Sequence, residues 1–434
     1  RAALYGVTPA ACANKTIAPS ADFRRLDGGV LTGREIRQRA ALIARVTQIG
    51  YESAMEEAAY TWFNRFCAIR IMAKRGFIAP VLEYVGNREA RTPAIVAAMR
   101  AGEVPPLFPD ERSRLDRIRF DDAKTTEQFA LLVMAFCRNN PVLRACFGTP
   151  LDYTDLLLPH DILAPGGFVD ALNDPTAISD DDYRKDELIG WLYQHYVSSR
   201  KQEVFDSFKN GQKAEAEDIP AATEIFTPNW IVKYMVENSL GRLALENGMG
   251  GDFTSNWKYL VPEDEVGRSP RDRRLEVDVP EALTFADLAC GSGHILLEAF
   301  RHLMEIYAEA GYSRRQAVEA IFRKNVVGID LDPRARQLSQ FALLLAAMEA
   351  DPSFADASVL PRVYDFENTL DEGQYARAEI AAVLSVQDDA VLNELCAAFA
   401  LLTQAKNLGS LMKFDLSDRT RGILAVKVGE IVDS

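Results

Sequence analysis

The chain has 434 residues, about three times the roughly 150-residue domain expectation, so it should form more than one packed unit. Its 48% hydrophobic and 26% charged residues describe ordinary globular protein and exclude a disordered, collagenous or coiled-coil chain. Forty-nine basic against 63 acidic residues leave a net charge of −14, so a nucleic-acid partner would have to meet a local basic face.

Six cysteines are scattered without a Cys-x-x-Cys pair, and the four histidines offer no zinc-ligand spacing, so no metal is expected. That usage suits a reducing cytoplasm. The longest apolar run, residues 341–348, is far short of the ~20 residues that span a bilayer, and no signal peptide opens the chain, so no membrane association is expected. The chain begins with Arg1 rather than Met, which reads as a fragment of something longer.

From residue 34 to about 205 the apolar spacing is helical. Residues 55–76 are expected to form a core helix: Ala59, Trp62, Phe63, Phe66, Ile69 and Met72 make one stripe, and Gly76 is placed to end it. Arg112, Arg114, Arg117 and Arg119 could follow a phosphate backbone, but the acidic residues among them favour a solvated face. Residues 186–197 carry Trp191, Tyr193, His195 and Tyr196, an aromatic helix whose ordinary role is packing. The polar stretch 206–222 reads as a linker. After it Thr227-Pro228 opens a helix with proline at the first position, and residues 263–281 read as a surface loop.

Strand, glycine loop, helix, helix, strand and helix then follow, the grammar of an α/β unit. Residues 283–288 are a short strand, Cys290 to Gly293 a tight loop, and from Ile295 a helix repeats its apolar residues on one face. Such a loop lets a backbone approach a ligand closely at a helix N-terminus. A dinucleotide fingerprint would need glycine where Leu296 stands, and a P-loop would need Gly-Lys-Ser/Thr, which is absent. Residues 325–330 form the next strand, with Asp332 an N-cap and Pro333 the first helical residue. Asp330, at the strand end, is the candidate to accept hydrogen bonds from ribose hydroxyls. His294 and Cys290 read as pocket walls rather than as base and nucleophile. From 371 to 405 alanine- and leucine-rich helices return, ended at residues 407–410.

DLACGSG at Asp287 to Gly293, GIDLDP at Gly328 to Pro333 and IFTP at Ile225 to Pro228 together resemble the S-adenosylmethionine-dependent DNA adenine methyltransferases whose cofactor motifs precede the catalytic one. AYTWFNRFCAIRIM, ELIGWLYQHYVS, EDIPAATEIFTPNWIVKYMVENSLGR, ACGSGHILLEA and AKNLGSL extend that resemblance to the PglX-type methyltransferases of BREX phage-defence systems. The resemblance implies S-adenosylmethionine as cofactor, double-stranded DNA with a flipped adenine as acceptor, and other BREX defence proteins as partners. It implies that Phe226, Thr227 and Pro228 close over the methionine end. Asp287, Ala289, Gly291 and Gly293 would lie under methionine and ribose, Asp330 would hold the ribose hydroxyls, and Ile329 or Leu331 would flank the adenine. Asp365 would contact the adenine amino group. The chain departs from that family in containing no Asn/Asp-Pro-Pro-Tyr/Phe motif, so no catalytic residue is assigned within it.

The expected architecture is α/β: an N-terminal helical domain over 1–205, a linker over 206–222, a doubly wound Rossmann-like methyltransferase domain, incomplete, over 223–370, and a helical insertion over 371–434. Two other functions fit the same residues, a methyltransferase with a non-DNA acceptor and a cofactor-binding interaction module without catalysis.

Overall fold

In a computed structural model the described residues are 1–18, 23–86, 91–148, 153–185, 187–209, 227–262, 275–365, 377–402 and 412–432. Helix α1, Gly33–Ile49, starts at a capping box in which Thr32 Oγ1 accepts from Glu35 N–H and the Glu35 carboxylate accepts from Thr32 N–H. Helix α2, Tyr51–Lys74, buries residues on all sides of its second half and forms the spine of the helical part. It starts four residues earlier than the apolar stripe alone indicates, because Gly50, at φ 87°, turns the chain directly from α1 into α2. Two-residue strands β1, Tyr84–Val85, and β2, Thr92–Pro93, pair antiparallel.

Helices α3 (Ala94–Ala101), α4 (Pro109–Ile118), α5 (Thr125–Asn139), α6 (Pro141–Phe147) and α7 (Glu187–Lys209) follow. The arginines of α4 are held by neighbours: Arg112 pairs with Asp116, Arg114 with Glu127, and Arg119 donates to the Met99 carbonyl. They form no free basic track. Helix α7 continues through residues 206–209, past the boundary expected at 205, where Lys209 and Gln202 close on Asp206. The rest of the expected linker lies outside the described residues. Of Trp191, Tyr193, His195 and Tyr196 on α7, the side chain of Trp191 is described, and it is partly exposed.

Helix α8, Asn229–Val236, packs along α9, His294–Glu309. Pro228 is the N-cap of α8 rather than its first helical residue, because its ψ of 141° is still extended. Strands β3 (Phe285–Asp287), β4 (Val326–Asp330) and β5 (Arg362–Asp365) form a parallel sheet in the order β3-β4-β5. Between β3 and β4 come α9 and α10, Arg314–Ala320, and between β4 and β5 comes α11, Pro333–Ala350. The described strands run in sequence order. The reversal of strand order that defines a doubly wound sheet is therefore not among the described residues, and α/β with a small parallel sheet is the architecture observed.

Helix α11 explains the longest apolar run in the sequence. A helix apolar on all sides must be covered on all sides. It packs on β4, β5 and α9, and also on α2 and α6, with Phe341 against Phe147 at 5.6 Å between ring centres. One continuous core thereby runs from Tyr60 and Phe66 of α2 to Leu296 and Phe300 of α9. Helices α12 (Arg377–Leu384), α13 (Asp389–Leu402) and α14 (Asp418–Val432) share a separate small core around Ile380, Val391 and Leu395. Cys67, Cys137, Cys146 and Cys290 are buried, Cys12 and Cys396 are half-buried, and all six are free thiols.

Candidate functional site

The sheet sets three carboxylates side by side. Register pairs Asp330 with Asp365 across β4 and β5, and Asp287 with Gly328 across β3 and β4. All three acids therefore end adjacent parallel strands at the carboxyl edge, where α/β sheets bind ligands. Asp365 follows Asp330 by 35 positions, the length of α11 and its return.

The loop after β3 bends into this row. Cys290 N–H donates to the Ile329 carbonyl at 3.0 Å, and Gly293 N–H to the Cys290 carbonyl at 2.8 Å. Gly291 N–H donates to Asp330 Oδ2 at 2.8 Å, and Asp332 N–H to Asp330 Oδ1 at 2.9 Å. Asp330 thus stands at the mouth of the bend with one hydrogen bond on each oxygen, and a carboxylate oxygen has room for a second. Asp287 accepts from Ala289 N–H at 3.2 Å through Oδ1, while its buried Oδ2 has no hydrogen-bond partner among the described residues.

Two glycines are required by this geometry. Gly293 has φ 90°, and a Cβ there would stand 2.5 Å from Ser339 Oγ on α11. Gly328, inside β4, would place a Cβ 2.5 Å from Leu296 Cδ1, so its absence lets α9 lie close on the strand. At Gly291, φ 53°, a Cβ would meet open space.

Burial raises the Asp287 carboxyl above the ordinary range, and neighbouring Asp330 adds to the effect. Burial raises Asp330 as well, against backbone N–H groups, those of Asp332 and Gly291 foremost, that favour its ionised form. The Cys290 thiol is pushed up to about 12 by burial and then by Asp330, so it is a neutral wall of the bend and not a nucleophile. His294 is the first residue of α9, half-buried, and Leu331 is half-buried in the turn after β4. The first turn of α9 has no side-chain cap.

Thr227 and Pro228 precede α8 and are tied to the row through the packing of α8 on α9. Phe226 lies outside the described residues. Asp332 caps α11 as its position before Pro333 indicates, its carboxylate accepting from Arg334 N–H at 2.9 Å. Two residues carry no signal in the sequence: Arg336, whose Nε lies 3.1 Å from Asp365 Oδ2, and Arg334, whose Nε lies 2.8 Å from Asp332 Oδ1. The glycine inside the GIDLDP strand is the one overlooked feature with a readable cue, since an interior strand glycine marks a close approach.

No family model matches the chain. It is 31% identical over 407 residues, 88% of its length, to the adenine-specific methyltransferase BrxX of Escherichia coli O9:H4 strain HS, of which it covers 33%. It is 31% identical over 417 residues, 89% of its length, to the adenine-specific methyltransferase PglX of Lacticaseibacillus casei strain Zhang, again covering 33% of that protein. Over nearly its whole length the chain is similar to these PglX and BrxX methyltransferases. It spans about a third of the length of these curated relatives. More distantly, 180 residues are 24% identical to a putative type II restriction enzyme and methyltransferase of Methanocaldococcus jannaschii. The bend, Asp330 and the row of strand-end acids lie together at the carboxyl edge of the sheet. Among the described residues no cluster of acidic, His or Cys side chains could hold a metal, and no helix is long and apolar enough to cross a membrane.

Proposed function

We propose that this chain supplies the cofactor-binding part of an S-adenosylmethionine-dependent, site-specific DNA adenine-N6 methyltransferase that marks self DNA in a BREX phage-defence system. The observation that carries the reading is the contact of Gly291 N–H with the Asp330 carboxylate, which joins the two motifs into one seat. The seat fits the cofactor's chemistry. Asp330 has lone pairs left for two vicinal hydroxyls, the buried Asp287 Oδ2 suits an ammonium, and the space over Gly291 admits a nucleoside against backbone. Asp365 is in register to accept from an adenine amino group, and Arg336 holds it in place. Ala289, Cys290 and His294 line the bend, Leu331 flanks the ring, and Phe226, Thr227 and Pro228 cover the methionine end.

S-Adenosylmethionine when bound supplies an electrophilic sulfonium methyl for in-line displacement. The chain's own residues orient it, and the acidic row favours a cation. An exocyclic amine is inaccessible in stacked DNA, so the whole enzyme flips its target base. The Asn-Pro-Pro-Tyr type of motif that receives such a base is absent from these 434 residues. The acceptor, the BREX partners and the cytoplasmic setting are therefore proposed for the whole enzyme, since the chain spans about a third of the length of its curated relatives.

Calorimetric titration with S-adenosylmethionine tests the reading. Binding is expected, with loss on Asp330→Ala. A folded chain with no detectable binding, or a folded Asp330→Ala variant that binds as tightly, would falsify it. Transfer of labelled methyl to unmodified DNA by the full-length protein tests the acceptor.

A further inference from the structure

The contacts that end at Asp330 begin in the helical layer, at a residue 278 positions before Arg334 in sequence. Glu56 on α2 lies 3.3 Å from Arg334 Nη1, and the same guanidinium lies 5.3 Å from the centre of the Tyr60 ring. Arg334 Nε is 2.8 and 3.0 Å from the two carboxylate oxygens of Asp332. Asp332 is only 2% exposed, so its charge has left water, and Arg334 with its own backbone N–H compensates it. The Asp332 N–H in turn donates to Asp330 Oδ1.

We propose that Arg334 is a positioning residue for the ligand seat. By clasping Asp332 against Glu56 and Tyr60, it fixes the turn over residues 330–332 and so the direction in which Asp330 offers its remaining lone pairs to ribose hydroxyls. The inference rests on the ribose role of Asp330 proposed above. It makes the helical layer part of the support of the cofactor site, through one arginine whose planar fork bonds a carboxylate and stacks on an aromatic ring. Without that guanidinium, the buried Asp332 carboxylate loses the side chain that grips both of its oxygens, and the segment relieves the cost by turning toward water. That movement unhooks the Asp332 N–H from Asp330.

Two measurements separate this role from general damage. In the free chain, Arg334→Met is expected to speed hydrogen exchange about tenfold or more at the Asp332 and Gly291 amides, which both donate to Asp330, with the interior amides of α9 unchanged. In calorimetry, Arg334→Met is expected to weaken S-adenosylhomocysteine about tenfold while changing its 2′,3′-dideoxy analogue less than about twofold, because only the former uses the hydroxyls. Glu56→Gln, at the half-exposed outer end, should give the same selective loss in smaller measure, and carries the test if Arg334→Met does not fold. Equal losses for both nucleosides, or unchanged exchange at residues 291 and 332, overturn the positioning role and leave the site reading intact. A wild-type chain that binds neither nucleoside overturns the site reading and the positioning role with it.

Discussion

Asp287 holds its proton more tightly than an ordinary aspartate because it is buried and has Asp330 for a neighbour. The folded form therefore binds more protons than the unfolded chain from the ordinary aspartate range up to the raised folded value. Stability falls as pH rises through that window and stays lower above it. Asp287→Asn keeps an acceptor for the Ala289 N–H and removes the charge. It is expected to raise the Tm of the free chain at neutral pH by about 1–2 °C and to weaken S-adenosylmethionine binding. A melting curve that moves down, or a variant that binds as the parent does, contradicts this account. Gly293→Ala meets both a left-handed φ and Ser339, and should cost about 2–4 kcal/mol in denaturant unfolding together with cofactor binding. At this scale Asp330 and Asp332 were separable in the sequence, since Pro333 marks Asp332 as a cap. Arg334 and Arg336 were not separable from surface arginines, because their partners Glu56, Tyr60 and Asp365 are brought to them by tertiary packing alone.

Helix α11 carries the load between the sheet and the helical layer, and its faces differ in what they touch. Phe341→Ala opens a hole against Phe147 and should cost about 3–5 kcal/mol, read as a shift in the midpoint of unfolding. Ser313→Ala, at the capping box of α10, removes the bond from Gln316 N–H and the hydroxyl's own bond to Gln316 Oε1, and should cost about 1 kcal/mol, leaving ligand affinity unchanged. The strands β3 and β4, the start of α9 and the cap of α11 were readable because local chemistry sets each one: apolar runs, glycine at positive φ, Asp before Pro. Register was not readable, and register is what makes Asp365 the neighbour of Asp330 despite its distance along the chain. Helix α8 starts one residue later than the Thr227-Pro228 pair indicates, because proline serves equally well as the last extended residue or the first helical one, and here Pro228 keeps an extended ψ.

For the whole molecule, the core that joins α2, α6, α11 and α9 means that the helical layer and the sheet should unfold together. A chain trimmed to begin after residue 205 would bare the side of α11 that Phe147 and the α2 residues cover. It is expected to elute as aggregate in size-exclusion chromatography, and a trimmed chain that runs as a sharp monomer with native melting would show that the two parts fold separately. Composition and periodicity reveal where helices give way to strands, but they cannot show that one apolar helix serves both layers at once. The placement of the thiols turns this cooperativity into something countable. Burial pushes Cys137 and Cys290 up to about 12 and raises Cys67 and Cys146 too, leaving Cys12 and Cys396 at the half-open positions. A maleimide dye would then tag two positions on the native chain at once and the other four only as the interior opens, so mass spectrometry could time that opening from the number of tags per molecule.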